Sequence, residues 1–317
     1  MKIVYLDQNK WIELARSYYG KTSGSGTDIK NILKFIQDSL EKQTIILPLS
    51  TIHYMETARI SDPNRRESLG SFMYEFSGGY TIAFYSEILI HELECALSKR
   101  FQQVSKRPFN LISKGALHAF GESLLTRAAS KMLGDSKKII ESAKTLGYLD
   151  IEKDLLTGTD PWGLPALPFR NNIYRNNFMK HQKKLREKNL DQLSPQRLED
   201  MLYAISWLDI LDSVNEILEY HNINPDELSL QGKKGLTEIL NELLTRQVDL
   251  HLHRQLLKNP DLKPKQSDLE DWAGLGPASM YCDVLICEKH FADLMTRDNF
   301  KTKAIIITNL TELPSII

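Results

Sequence analysis

The chain has 317 residues and a mass of 36.4 kDa, and its 40 basic and 41 acidic side chains give a formal net charge of −1. The protein therefore has no overall field that draws nucleic acid or membranes toward it, so any such attraction must come from a local patch. Three cysteines are too few and too odd in number for a disulfide framework, which indicates a reducing compartment. No apolar run of about 18 residues is present, so we expect a soluble, cytoplasmic protein without a membrane span.

Short apolar runs and helical patterns alternate over the first sixty residues. The segment Lys2–Leu6 is rich in β-branched and aromatic residues and too short for a helix, so it predicts a buried strand. A second strand is predicted at Thr44–Leu49, and Ser50 is a typical N-cap for the helix that follows it. The patterns between the two strands predict helices at Trp11–Tyr19 and from Thr27 or Asp28 onward.

Long amphipathic helical patterns replace this alternation between Asp62 and Pro264, and strand patterns nearly vanish there. One Pro/Gly-rich break, Thr157–Gly163, divides the region. The predicted helices are Arg65–Phe76, Ser86–Gln103, Lys114–Met132, Arg170–Lys188, Ser194–Tyr220 and Lys233–Lys258.

The alternation of helix and strand resumes at Asp268, where a helix is predicted to begin. It continues with a strand at Val284–Cys287, a helix at Phe291–Arg297 and a last strand at Ala304–Ile307. Because the strands lie at both ends of the chain, we predict an α/β domain with a parallel central sheet, formed by residues 1–103 and 233–317. Residues 104–232 are then a helical insertion.

Several acidic residues occupy positions that meet at one edge of such a sheet. Asp7 and Glu288 each follow a buried strand, and the carboxyl ends of parallel strands share an edge where ligands collect. Glu56 lies in the helix that leaves the second strand, while Asp268 and Asp271 are three positions apart and share one helix face. Carboxylates gathered in this way repel one another unless a cation lies between them. Hard ions such as Mg²⁺ or Mn²⁺ prefer these oxygen ligands.

Asp283 is close to Glu288 in sequence but does not belong to this group. It begins the strand that Glu288 ends, and at about 3.3 Å per residue the two lie roughly 16 Å apart. We therefore expect Asp283 to be solvated or to cap the preceding turn.

Four segments in order resemble those of the PIN-domain family of metal-dependent nucleases: Val4–Asn9, Ser50–Glu56, Asp271 and Cys287–Phe291. The resemblance implies a three-layer fold and hydrolysis of phosphodiester bonds at a Mg²⁺ or Mn²⁺ site. It also implies that Asp7, Glu56, Asp271 and Glu288 bind the metal and catalyse the reaction, with Asp268 as an auxiliary ligand. Asn9 is expected to hold the Asp7 carboxylate by a hydrogen bond.

The resemblance favours an endoribonuclease that acts on structured or single-stranded RNA, with a toxin-like or phage-defence role by analogy alone. Because a free ribonuclease endangers its host, we expect control by an inhibitory or activating partner protein, or by self-association into a homo-oligomer through the insertion. The alternative is a catalytically inactive domain of the same type that binds RNA or protein as a scaffold.

The helical pattern Arg170–Lys188 carries seven basic side chains and a single acidic one. Cations bind phosphates and aromatic rings stack on unpaired bases, so this pattern predicts an RNA-binding helix. A solvated helix face is the alternative, and Lys99, Arg100, Lys106 and Arg107 form a smaller second cluster. The predicted RNA-binding residues are Arg170, Tyr174, Arg175, Lys180, Lys183 and Lys184.

Arg246 and His251 match the Arg-x4-His pattern of the HEPN ribonucleases, a helical and metal-independent family. The resemblance implies a histidine general base and an arginine that stabilises phosphate charge. The pattern is short and common, so a chance match is the competing interpretation.

Overall fold

The computed structural model of the chain describes residues 1–21, 26–121, 151–158, 173–187, 193–259 and 261–317. The strands are β1 Lys2–Leu6, β2 Ile45–Ile46, β3 Tyr80–Ile82, β4 Ile112–Lys114, β5 Val284–Ile286 and β6 Ile305–Ile307. The α-helices are α1 Gln8–Tyr18, α2 Gly26–Glu41, α3 Thr51–Ala58, α4 Pro63–Ser77, α5 Tyr85–Leu97, α6 Ala116–Phe120, α7 Ile151–Thr157, α8 Ile173–Glu187, α9 Pro195–Tyr220, α10 Pro225–Ser229, α11 Gly232–Glu242, α12 Leu244–Lys258, α13 Asp268–Tyr281 and α14 Lys289–Thr296. The described residues also form the 3-10 helices Arg297–Asn299 and Leu310–Ser315.

A parallel four-stranded sheet is built from the two ends of the chain, as the sequence predicts. Its strand order is β2-β1-β5-β6. Strands β1 and β5 are the central pair, with Val4 opposite Val284 and Leu6 opposite Ile286. The structure therefore confirms an α/β architecture whose first strand pairs with a strand near the other end of the chain.

Helices cover both faces of this sheet, because alternate side chains of its strands enter separate cores. Val4 and Leu6 pack with α1, α2 and α4 on one face. Tyr5 and Leu285 pack with α12, α13 and α14 on the other face. Burial on both faces explains why these strands are apolar throughout instead of alternating with polar residues.

The second strand is shorter than predicted, and an antiparallel pair was missed. Strand β2 contains two residues because Pro48, which has no N–H group, interrupts the ladder before Leu49. Leu49 then bonds to β3, donating its N–H to the Tyr80 carbonyl at 2.9 Å. Strand β3 pairs with β4, and each of these strands has only three residues, which is too short for a clear periodic signal.

Two of the predicted helices have different limits. The pattern Lys233–Lys258 forms two helices, α11 and α12, because the buried Glu92 carboxylate accepts the Thr245 N–H at 3.0 Å and caps a new helix there. The helix predicted at Ser86–Gln103 ends at Leu97. Of the pattern Lys114–Met132, the structure describes helix α6 only, and residues 122–132 lie outside the described residues.

The boundaries of the predicted insertion stay a prediction. Helix α12 packs on the sheet, in agreement with its place in the second half of the α/β domain. A third core joins Leu93 of α5 to Val214 of α9 and Leu240 of α11, across the predicted boundaries. Within the part of the chain that the structure describes, no helix is long and apolar enough to cross a membrane.

Asp283 links the two central strands by hydrogen bonds at the end of the sheet away from Glu288. Its backbone N–H donates to the Ile3 carbonyl, and its carboxylate accepts the Ile3 N–H at 2.8 Å. The side chain is therefore an acceptor for β1 and not a turn cap, while its 37% exposed fraction agrees in part with the other expectation, a solvated carboxylate.

We predict that Asp283→Ala lowers the free energy of unfolding by about 1–2 kcal/mol, because the Ile3 N–H loses its charged acceptor. Urea unfolding measures the change. The control is Asp293→Ala, which removes an exposed carboxylate from α14 and should change stability by less than about 0.5 kcal/mol. Equal effects of the two substitutions would contradict a structural role for Asp283.

Candidate metal centre

A cavity of about 280 Å³ lies at the carboxyl edge of the sheet, and all five predicted acidic residues line it. We call it the acidic cavity. The five residues come from four parts of the chain: Asp7 after β1, Glu56 on α3, Asp268 and Asp271 on α13, and Glu288 after β5. The structure therefore brings together the residues that the sequence predicted to meet, and Asp283 is not among those lining the cavity.

Asp7 and Glu288 occupy equivalent positions, each between the end of a central strand and the start of a helix. Asp7 is the N-cap residue of α1, and its N–H donates to the Ile286 carbonyl at 2.8 Å. Glu288 is the N-cap residue of α14. The Asn9 side chain donates to Glu288, so the prediction that it holds Asp7 is wrong. Asn9 orients a carboxylate of the cavity, but a different one.

Helix α3 is tied to the end of β1 by a buried histidine. The ring of His53 accepts the Ser50 N–H at Nδ1 (2.9 Å) and donates from Nε2 to the Leu6 carbonyl (2.8 Å). Burial lowers the pKa of His53 to about 4, so the ring is neutral and can play both roles. Because Leu6 precedes Asp7, this contact places Glu56 beside Asp7. Sequence analysis did not assign this role to His53.

Helix α13 approaches β1 and α3 closely at a glycine. A Cβ atom at Gly274 would lie 3.0 Å from the Tyr5 hydroxyl and 3.2 Å from Ile52 Cγ1. A larger residue would therefore crowd the side chains of Tyr5 and Ile52. The absence of a side chain at this point lets Asp271, one turn earlier on α13, reach the side of the cavity formed by Asp7 and Glu56.

The carboxyl groups of the cavity have raised pKa values. Burial and then the charge of Glu288 raise the pKa of Asp7 to about 6. Burial and then the charges of Asp7 and Asp271 raise the pKa of Glu56 to about 8. The pKa of Asp271 rises to about 7 through burial and then the charge of Asp7. These groups therefore lie near enough to repel one another, and a cation among them would favour their charged forms.

The donor set fits a hydrated divalent ion. Among the described residues, no group of three His, Cys, Asp or Glu side chains is already arranged to hold a metal ion directly. Mg²⁺ usually keeps several water ligands and uses one or two carboxylates, and the cavity has room for an ion with part of its hydration shell. Asp268 is suited to an auxiliary role, because one of its oxygens accepts the Lys265 N–H at 2.7 Å.

A buried acidic residue that sequence analysis missed lies behind the cavity. Glu270 is 2% exposed, and its Oε1 accepts from Arg59 Nη1 at 2.8 Å and from Arg175 Nε at 2.7 Å. Its charge also contributes to the raised pKa values of Glu56 and Asp271. Nothing in the sequence pairs these distant arginines with Glu270, so spacing alone gave no signal for it.

Helix α8, described over residues 173–187, docks on α13 and α12 through one face. Phe178 contacts the Trp272 ring edge-on at 5.6 Å, Gln182 bonds to His253 at 3.0 Å, and Leu185 is buried. The guanidinium of Arg175 lies on this docked face, where it pairs with Glu270, so this predicted RNA-binding side chain already has a partner within the protein.

The other face of α8 carries the remaining predicted cations. Lys180, Lys183 and Lys184 are all exposed. This exposure agrees with an RNA-binding helix and equally with a solvated helix face. Arg170 and the side chain of Tyr174 lie outside the described residues. RNA binding by these residues stays a prediction.

Most of the smaller basic cluster takes part in ion pairs within the protein. Lys99 and Arg100 both pair with Glu242, at 2.7 and 2.9 Å, which joins the end of α5 to α11. Arg107 pairs with the buried Glu94. Three of the four side chains therefore form ion pairs within the protein, and the fourth, Lys106, is exposed.

Arg246 and His251 face different neighbours, although both lie on α12. The guanidinium of Arg246 is buried against Ser206, Asp209 and Asp249. The ring of His251 bonds to the Leu294 carbonyl at 2.8 Å and stacks on Phe300. The structure does not bring the two side chains to one site, so the HEPN-like interpretation loses its geometric basis.

We predict that the protein without divalent ions loses stability as the pH rises from about 5 to about 8. The folded-state pKa values of Asp7, Glu56 and Asp271 (about 6, 8 and 7) lie above the unfolded values near 4. Their contribution is therefore fully present below about pH 4 and is lost as the pH rises through the folded values. The expected fall exceeds about 1.4 kcal/mol, the equivalent of one pKa unit.

Urea unfolding at pH 5 and pH 8, in EDTA and in Mn²⁺, measures this fall. Mn²⁺ should remove it, and Glu56→Gln should reduce it in EDTA. A stability that is independent of pH in EDTA would contradict the crowding of carboxylates in the cavity.

Comparisons with known proteins identify no relative. No family model matches the sequence, and neither a curated protein nor a solved structure matches the chain. The candidate site therefore rests on the geometry of this chain, and the likeness to PIN-domain nucleases rests on the four segments that carry the acidic residues.

Proposed function

We propose that the protein is a metal-dependent endoribonuclease with a PIN-like, three-layer α/β domain. The observation that carries this proposal is the meeting of Asp7, Glu56, Asp271 and Glu288 around one cavity at the carboxyl edge of a parallel sheet. Ligands bind at this edge in open α/β sheets. An acidic cavity without a cation repels a polyanion, so a metal ion is the group that makes it suitable for a phosphodiester.

In such a site the metal ion supplies part of the chemistry and the side chains of the protein supply the rest. When bound, Mg²⁺ or Mn²⁺ lowers the pKa of water and neutralises charge on the phosphoryl oxygens. Asp7 and Asp271 would hold the ion at the centre, and Glu288, oriented by Asn9, would hold it at the exposed mouth. His53 fixes α3 and so keeps Glu56 in place.

The lysines of α8 support RNA as the substrate. Helix α8 docks on α13, which carries Asp268 and Asp271, through Arg175 and Phe178, and its Lys180 and Lys184 are exposed. Cations at this place would bind backbone phosphates and offset the repulsion of the carboxylates. The proposal therefore assigns binding to the insertion and cleavage to the sheet domain.

We predict that purified protein cleaves tRNA or rRNA in Mn²⁺ and that EDTA abolishes the cleavage. Asp7→Asn should lower the rate at least about 100-fold, because loss of a ligand removes several kcal/mol of charge stabilisation. The same assay on single-stranded DNA separates a ribonuclease from a general nuclease.

The matched control is Asp283→Asn, which changes an acidic residue at the other end of strand β5. It should retain activity. Cleavage that persists in EDTA, or equal losses in the two variants, would contradict the proposed site.

We predict that Lys180→Gln combined with Lys184→Gln weakens binding to single-stranded RNA and makes it less dependent on salt. Each lost phosphate contact should lower the slope of log Kd against log salt by about 0.7, or about 1.4 for the pair. Fluorescence anisotropy with the cleavage-deficient Asp7→Asn background measures both quantities.

The control for this prediction is Lys301→Gln combined with Lys303→Gln. These lysines are also exposed, but Lys303 lies by Asp283, at the opposite edge of the sheet. An unchanged slope in the α8 variant would assign Lys180 and Lys184 to an ordinary solvated face.

A non-catalytic RNA-binding scaffold is the second candidate. It is favoured by the finding that, within the described ranges, no three acidic or metal-ligating side chains are arranged to hold an ion directly. Binding of RNA without cleavage in Mn²⁺, with wild-type and Asp7→Asn proteins indistinguishable, would support the scaffold.

A further inference from the structure

The loop that precedes α13, residues 261–267, ends at the acidic cavity. Ser267 and Asp268, where the loop joins the helix, both line the cavity. The Lys265 N–H donates to Asp268 Oδ2 at 2.7 Å, and the Asp268 N–H donates to the Lys265 carbonyl at 3.2 Å. These two bonds fix the backbone of Lys265 beside a carboxylate of the cavity.

The side chain of Lys265 is exposed at this place. In the described part of the chain, none of the salt bridges involves Lys265. Its ammonium group therefore keeps its three N–H donors for solvent or for a ligand.

A second basic side chain lies on the same side of the cavity. His290 of α14 lines the cavity and is exposed. Burial raises the pKa of Asp268, whereas its hydrogen bond to the Lys265 N–H and the charges of His290 and Lys265 lower that pKa. Both basic side chains therefore lie near enough to Asp268 to attract an anion held beside it.

Two other basic side chains near the cavity are already engaged within the protein. Lys10 Nζ donates to the Thr308 carbonyl at 2.7 Å and lies 3.8 Å from Glu13 Oε2. Arg59 pairs with the buried Glu270 at 2.8 Å. Lys265 differs from both of them because its charge has no such partner.

A polyanionic substrate needs a cation at this position. An ion in the acidic cavity neutralises the phosphate that is cleaved, but the neighbouring phosphates of the strand keep their charge. Asp268 and the exposed Glu288 repel these phosphates when they are ionised. Lysine binds phosphate as a point charge, so an exposed lysine beside Asp268 offsets this repulsion.

We propose that Lys265 binds the RNA phosphate next to the scissile bond and so positions the strand over the acidic cavity. This inference rests on the proposed function, because it adds a substrate contact at the same site. It also adds a contact from the sheet domain to those proposed for α8. Lys265 is a positioning residue and takes no part in breaking the bond.

The first test is binding of single-stranded RNA by the full-length Asp7→Asn protein, measured by fluorescence anisotropy over a range of salt. Lys265→Gln should raise Kd about 3–10-fold at low salt, the loss expected for one exposed hydrogen bond between charged groups. It should also lower the slope of log Kd against log salt by about 0.7. Lys265→Arg should restore both quantities, because the positive charge returns.

The matched control is Lys42→Gln. Lys42 is exposed and precedes β2, whose Ile45 lies opposite Lys2 at the amino end of the parallel sheet. The acidic cavity lies at the carboxyl end, so this substitution should leave both Kd and the slope unchanged.

Single uncharged methylphosphonate groups in the RNA identify the phosphate that is bound. One such replacement beside the scissile bond should weaken binding when Lys265 is present. In Lys265→Gln the same replacement should have a smaller effect, because the contact is already lost. Equal effects in the two proteins at every position tested would overturn the inference.

Cleavage in Mn²⁺ separates a contact with RNA from an indirect effect through Asp268. In the protein with Asp7 intact, Lys265→Gln should raise KM and leave kcat within about twofold. A fall in kcat at unchanged KM would overturn the inference, since Lys265 would then act on the carboxylates. Unchanged Kd and KM would also overturn it, and the proposed function would stand. If wild-type protein cleaves no RNA in Mn²⁺, the proposed function fails, and the binding measurements still decide the role of Lys265.

Discussion

Mutual repulsion among buried carboxylates is the constraint on which the site depends. The charge of Asp7 raises the pKa values of Glu56 and Asp271, and the charge of Glu288 raises the pKa of Asp7, with burial as the larger cause in each case. The fold holds them there by means unrelated to their charge: β1 pairs with β5, His53 ties α3 to Leu6, and Gly274 lets α13 approach the sheet. A cation is the simplest group that converts this unfavourable arrangement into a stable one.

Helix α8 contacts the helix that carries part of the candidate site. Arg175 of α8 reaches the buried Glu270, and Phe178 packs on Trp272 of α13. Helix α13 carries both Glu270 and Asp271, so docking of α8 and placement of the cavity's carboxylates are parts of one arrangement. The basic helix is therefore a structural neighbour of the acidic cavity as well as a candidate surface for RNA.

The features that the sequence predicted depend on local pattern. Apolar runs bounded by polar residues indicate β1, β5 and β6, and acidic residues directly after such runs indicate the site, because parallel strands end at a common edge. Ser50 before an apolar helix was recognisable as a cap.

The features that it missed depend on contacts between distant residues. Glu92 divides one predicted helix by capping α12 from another part of the chain, and Arg59 and Arg175 neutralise Glu270 from two other elements. Asn9 was expected to bond with Asp7, its neighbour in sequence, but it bonds with Glu288 across the cavity. Such tertiary contacts produce no periodic pattern in the sequence.

Anomalous diffraction from a crystal grown with Mn²⁺ is the most direct measurement of the central claim. A peak inside the acidic cavity, within coordination or single-water reach of Asp7, Asp271 and Glu288, is the predicted result. A cavity without a peak at saturating Mn²⁺, or carboxylates that turn away from one another in the crystal, would contradict the account.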